Sequence, residues 1–108
     1  NIALNYGGRD EIVRAARKIA DEAANGSLKA SDLTEQSFAG YLDTAGLPEV
    51  DLIIRPSGEK RLSNFMLWQA AYAEFWYSDI CWPDFTEADM KQAILDYQNR
   101  DRRFGGVK

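Results

Sequence analysis

The stretch from Asp51 to Glu74, DLIIRPSGEKRLSNFMLWQAAYAE, constrains this chain more than any other part. A short apolar run, Leu52-Ile53-Ile54, ends in Arg55. A turn follows at Pro56-Ser57-Gly58-Glu59, and Lys60-Arg61 then adds a second basic cluster. The run predicts a strand over residues 51–55. Beyond Leu62, Ser63 and Asn64 open a stretch that is apolar nearly all round and predicts a buried helix over 63–73. Strand, basic turn and helix start in succession suit a diphosphate. Free amides and the positive end of the helix dipole supply fixed donors, and arginine adds forked, charge-assisted bonds. On physics alone, a solvated basic turn between a strand and a helix accounts for these residues equally well.

A chain of 108 residues is one domain at most, and 45% hydrophobic content is enough for a core. With 17 acidic and 13 basic side chains the net charge is -4. General nucleic-acid binding wants a basic surface, so no nucleic-acid partner is expected. An anion site must then be local, which suits a small phosphorylated ligand. The lone Cys81 permits no internal disulfide, fits a reducing cytosol, and is expected to be a small buried apolar residue. The absence of histidine excludes His/Cys zinc sites and Ser-His or Cys-His catalysis. No apolar run approaches the roughly 20 residues that span a bilayer.

Asn1-Ile2-Ala3-Leu4-Asn5 predicts a buried strand over 2–5, and Tyr6-Gly7-Gly8 a glycine turn. A chain that opens inside a strand is expected to be a fragment. From Arg9 to Ala24 the residues Ile12, Val13, Ala16, Ile19, Ala20 and Ala23 line one helix face, ended by Asn25-Gly26. Thr34 caps a short helix reaching Leu42. Residues 75–80 predict a third strand, and Trp82-Pro83-Asp84-Phe85 a rigid bend. Thr86 and Asp89 make an approximate capping box for a last helix with Met90, Ile94 and Tyr97 inward. Strands alternating with helices give an α/β fold: a central, mostly parallel sheet surrounded by helices. Ligands bind such sheets at the C-terminal strand ends. Tyr6-Gly7-Gly8-Arg9 and Arg55 to Arg61 are both expected there; a plain strand-to-helix turn is the alternative for the first.

With these residues in view, the chain resembles the C-terminal half of bacterial undecaprenyl diphosphate synthases, the cis-prenyltransferase family. Four segments carry the resemblance in order: Asn5-Tyr6-Gly7-Gly8-Arg9; Asp51 to Arg55 with Ser57-Gly58-Glu59, Arg61, Ser63-Asn64-Phe65, Trp68-Gln69, Tyr72 and Glu74; Trp82-Pro83-Asp84-Phe85; and Arg102-Arg103-Phe104-Gly105-Gly106. Together they cover nearly the whole chain, as the C-terminal part of a single catalytic domain. The resemblance implies a prenyl transferase that condenses isopentenyl diphosphate onto an allylic diphosphate such as farnesyl diphosphate, making an undecaprenyl lipid-carrier precursor. It implies that Arg55, Arg61, Leu62 and Ser63 hold the isopentenyl diphosphate and that Glu74 is tied to magnesium (Mg2+). Arg103 and Gly105 would reach the partner subunit's site in a homodimer. It also implies a cytoplasmic enzyme with peripheral membrane association for product release. The family's catalytic aspartate lies upstream, in an Asp-Gly-Asn-x-Arg segment, so no catalytic residue is expected among these 108 and this piece alone should be inactive.

Two departures stand out. Pro56 replaces the usual threonine, stiffening the turn and removing one amide donor. Lys60 occupies a variable position that is histidine in some members. Position 63 to position 74 is 11 residues, or roughly 16 Å on a continuous helix, so Ser63 and Glu74 are not expected on one diphosphate unless the helix bends or a twofold-related subunit completes the site. Phe75, Trp76, Tyr77, Trp82 and Phe85 are expected to be mostly core, with some at the homodimer interface. Arg102 and Arg103 have an alternative as cations complementing the last helix. Two competing functions share the motifs: a non-catalytic partner subunit and a generic phosphate-binding α/β module. Regulatory subunits often lose the substrate signature, and Arg55, Arg61, Ser63 and Glu74 are all kept here.

Overall fold

The structure, a computed structural model, describes residues 1–100. These divide into two compact units, residues 1–48 with 64–68, and residues 49–63 with 69–100.

The first unit is built on α1, Gly8–Ala24. Asp10 and Glu11 in its first turn complement the helix dipole, and Asn25 with left-handed Gly26 ends it. The buried face is Gly8, Glu11 and Ala15. Ile12 and Ile19 are half-buried, whereas Val13, Ala16, Ala20 and Ala23 of the expected apolar face are exposed. Polar anchors turned the helix: Glu11 is 2% exposed, receiving the Tyr6 hydroxyl on Oε1 and the Asp43 amide on Oε2 at 2.8 Å. The Arg14 guanidinium forks onto Asp43 at 2.8 and 2.7 Å and meets Asp10 at 2.9 Å. A short 3-10 turn at Ala30–Asp32 leads to α2, Glu35–Ala39, with a full Thr34–Ser37 capping box. Leu42 is buried beyond it.

The expected strand over 2–5 does not form. Asn5 is left-handed, Ile2 and Leu4 are 89% and 83% exposed, and no described strand pairs with them. Unpaired amides and carbonyls in water have no ladder to define a strand.

The second unit holds β1, Leu52–Arg55, and β2, Glu74–Tyr77, paired in parallel with Leu52 opposite Glu74 and Arg55 opposite Tyr77. Ile53 is the buried centre of β1. The expected third strand is therefore β2, shifted to 74–77; it ends where the Ser78 amide donates to the Arg55 carbonyl at 3.1 Å. The bend at 82–85 is a 3-10 turn, Trp82–Asp84. Next comes α3, Glu87–Gln98, with the Thr86–Asp89 capping box in place. It packs on β2: the Trp76 indole donates to Asp96 at 2.8 Å, Gln92 donates to the other Asp96 oxygen at 2.8 Å, and Arg100 donates to the Phe75 carbonyl. Those bonds turn Ala93 inward and leave Met90 and Ile94 40% and 43% exposed, against expectation, with Tyr97 half-buried. Cys81, expected inside, is exposed on the loop before the bend. Of the clustered aromatics, Phe75, Trp76 and Phe85 are half-buried, while Tyr77 and Trp82 are exposed.

The expected helix over 63–73 is absent. Ser63, Asn64 and Met66 have φ of 53, 60 and 49°, which a right-handed helix excludes. Only a 3-10 turn, Gln69–Tyr72, survives. Tertiary bonds within the first unit outweigh helix propensity: the Asn64 carbonyl accepts the Gly8 amide at 2.7 Å, Asn64 Oδ1 accepts the Arg9 amide at 2.9 Å, and Trp68 packs on Phe38 with ring centroids 4.7 Å apart.

Candidate functional site

Arg55 is the last residue of β1 and opens the basic corner in the second unit. Its guanidinium donates to the Leu62 carbonyl at 3.1 Å, closing the loop from 55 to 62. Inside the loop Pro56 is buried, and Ser57 and Gly58 are both left-handed, at φ of 64 and 69°. Glycine takes this conformation freely; serine takes it only under restraint. The restraint is visible: the Ser57 amide donates to the Ile80 carbonyl and the Gly58 amide to the Ser78 carbonyl, each at 2.8 Å. The Glu59 amide donates to the Pro56 carbonyl at 3.3 Å and the Arg61 amide to Glu59 Oε1 at 2.9 Å.

The expected phosphate cradle of free amides and a helix dipole is therefore not what the corner offers. No helix starts at Ser63, and the amides of Ser57, Gly58, Glu59 and Arg61 are already engaged. What remains is side-chain chemistry. Lys60, Arg61 and Ser63 are exposed, Arg55 is half-buried, and Leu62 contributes the carbonyl that holds it. Among the described residues, none of Arg55, Lys60 and Arg61 lies within 4.0 Å of a carboxylate oxygen as an ion pair. A cluster of unpaired cations at a strand end can accept a doubly charged head group through arginine forks.

The second candidate loop, in the first unit, is closed. Asn64 occupies the Gly8 and Arg9 amides that open α1. A Cβ on Gly8 would stand 2.7 Å from Leu67 Cγ and 3.1 Å from the Asn64 carbonyl oxygen. Gly8 thus serves close backbone approach at the start of α1, although no strand precedes it, as a strand-to-helix turn requires. The sequence names Asn64 only as opening an expected helix with Ser63; its bonds to Gly8 and Arg9 are long-range and carry no local signal.

Glu74 begins β2 instead of ending a helix, and its carboxylate faces the Arg100 guanidinium at 3.8 Å. Among the described residues, no three His, Cys, Asp or Glu side chains converge as a cation site. The residues as arranged do not by themselves fit a magnesium ion; they offer one carboxylate next to a cation. Arg103 and Gly105, with Arg102, lie outside the described residues.

A family model described as "Putative undecaprenyl diphosphate synthase" matches residues 1–105. The isoprenyl transferase of Clostridium perfringens is 59% identical over 108 residues, covering 100% of this chain and 43% of the relative. That of Heliobacterium mobile is 58% identical over 108 residues, covering 100% and 42%. The chain thus spans less than half the length of these curated relatives. Lavandulyl diphosphate synthase from Lavandula x intermedia, solved in complex with dimethylallyl diphosphate, is 46% identical with a TM-score of 0.91 over 96% of this chain and 45% of that one. A probable undecaprenyl diphosphate synthase from Campylobacter jejuni is 41% identical with a TM-score of 0.80 over 98% and 47%. The α/β arrangement with its parallel pair of strands is that of the cis-prenyltransferase fold. By a match running through nearly its whole length, the chain belongs to the undecaprenyl diphosphate synthase family of isoprenyl transferases.

Proposed function

We propose that this chain is the C-terminal part of a single cis-prenyltransferase domain and that it holds isopentenyl diphosphate for condensation onto an allylic diphosphate. The observation that carries the reading is the cluster of Arg55, Lys60 and Arg61 at the C-terminal end of β1, with no ion pair to a described carboxylate. Ser63 adds an exposed hydroxyl at the end of the same loop. An acidic chain with a basic corner that no described carboxylate pairs with suits a small anion. The dimethylallyl diphosphate named with the lavandulyl relative supports allylic diphosphates as the substrate class.

In the reaction proposed, the allylic C–O bond breaks and diphosphate leaves with its electron pair. The isopentenyl double bond attacks the allylic carbon, and loss of a proton restores a double bond with cis geometry. The work of this chain is to bind and orient the nucleophilic partner, so its contribution is positional and electrostatic. Glu74 is the carboxylate of this chain proposed for magnesium, and in this structure it faces the Arg100 guanidinium. The described residues form no complete site for that ion.

The reading extends to a homodimer, in which Arg103 and Gly105 reach the partner's site, and to a cytoplasmic enzyme making a polyprenyl lipid-carrier precursor. No described helix is long and apolar enough to cross a membrane. Titrating isopentenyl diphosphate into the full-length protein, against inorganic diphosphate, tests the reading. Saturable binding that inorganic diphosphate competes away supports it. Equal affinity for the two ligands would reduce the corner to a generic phosphate site.

A further inference from the structure

The residues that shape the arginine corner lie outside it, in the segment after β2. The Ser78 amide donates to the Arg55 carbonyl at 3.1 Å, and the Ser78 and Ile80 carbonyls accept the Gly58 and Ser57 amides at 2.8 Å each. These bonds hold a left-handed pair, Ser57 and Gly58, inside the loop that carries Arg55 and Arg61. A serine in that conformation persists only where its surroundings over-determine it. The surroundings are two carbonyls two residues apart, and their spacing is set by one side chain: Ser78 Oγ accepts the Ile80 amide at 3.1 Å. The Asp79 carboxylate lies close to Gly58 as well: a Cβ there would stand 3.3 Å from its Oδ1.

We propose that Ser78 is a positioning residue for diphosphate binding. Its hydroxyl fixes the 78–80 turn, and that turn fixes the Ser57–Gly58 pair that aims Arg55 and Arg61. Ser78 touches no ligand in this account. The proposal rests on the reading of the corner as the isopentenyl diphosphate site.

The test compares Ser78→Thr, which keeps the hydroxyl, with Ser78→Val, which has the same shape without it. Isopentenyl diphosphate is titrated into the full-length proteins and steady-state kinetics are recorded. Loss of one restraining hydrogen bond should raise Kd and KM roughly fivefold in the valine variant with kcat within about twofold. The threonine variant should bind like the wild type. Thermal midpoints are measured alongside; should the valine variant fail to fold, Ser78→Ala takes its place in the same comparison. Equal Kd for the hydroxyl-bearing and hydroxyl-free variants would overturn the proposal. Absence of saturable binding by the wild-type protein would instead overturn the substrate reading beneath it.

Discussion

Arg55 and Glu74 stand at opposite ends of one parallel ladder: Glu74 pairs with Leu52, while Arg55 pairs with Tyr77. Three residues of strand lie between the two registers, about 10 Å along the sheet. A ladder, not a helix, sets their separation. Glu74 is also turned towards Arg100, at 3.8 Å. Arg55 and Glu74 thus start three strand residues apart, and the Glu74 carboxylate is turned to Arg100.

This geometry makes a complementation experiment decisive. If the working site takes Arg55 from one subunit and Glu74 from another, Arg55→Ala and Glu74→Ala proteins should each be nearly inactive. A mixed dimer then holds one site with both residues intact, and mixing should restore activity to roughly half that of the wild type per mixed dimer. Activity no higher than either parent would place both residues in the same subunit's site.

Arg61 separates binding from folding. Its side chain is exposed and no described residue forms an ion pair with it, so the fold draws little from it. Charge-assisted hydrogen bonds contribute about 1.5–3 kcal/mol, so Arg61→Ala should weaken isopentenyl diphosphate binding by about 10- to 100-fold at an unchanged thermal midpoint. Arg55→Ala should lose binding and some stability together, because Arg55 also donates to the Leu62 carbonyl. Calorimetric titration and thermal melts on both variants check the contrast.

Local signals in the sequence located the elements that local forces decide. The Thr86–Asp89 capping box is there, α1 spans nearly the expected residues, and Leu52–Arg55 is a strand. The misses share a cause. Residues 63–68 have helical composition, but Ser63, Asn64 and Met66 are left-handed, and Asn64 is held by the amides of Gly8 and Arg9, the latter 55 positions away. The amides of Ser57 and Gly58 seem free in a one-dimensional reading, yet carbonyls from residues 78 and 80 take them. The α1 face departs from the apolar spacing because Glu11, which that spacing leaves out, is 2% exposed. The basic corner itself is visible because its three cations, Arg55, Lys60 and Arg61, fall within one short segment; what restrains it is distant in sequence.

Glycine at position 8 should be intolerant of change for steric reasons. A methyl group there meets Leu67 Cγ at 2.7 Å and backbone atoms of Asn64 and Leu67 at 3.1 Å. Gly8→Ala should destabilise the full-length protein by about 1–3 kcal/mol, the range for forced overpacking. Gly26 is a useful contrast, since it is left-handed but has nothing within 4 Å. Gly26→Ala should cost about 1 kcal/mol through backbone strain alone. Denaturant melts of the two variants test the ordering; equal costs would mean that residues 64–67 do not press on α1.

Tyr6 predicts an alkaline limit to stability. Burial and the hydrogen bond to the Glu11 carboxylate raise its pKa above the ordinary tyrosine value of 10.0. The folded state thus holds the phenol proton more tightly than the unfolded chain does. The stabilisation is complete below pH 10 and is lost as pH rises from there through the folded-state value. Tyr41, bonded to Glu22, shifts in the same direction. Tyr6→Phe removes a donor to the buried Glu11 and should cost about 1–2 kcal/mol at neutral pH. Its stability should then fall less steeply above pH 10 than that of the wild type, with the residual slope due to Tyr41. Denaturation midpoints from pH 7 to 11 measure both slopes, and parallel curves would show that the Tyr6 proton is not coupled to folding.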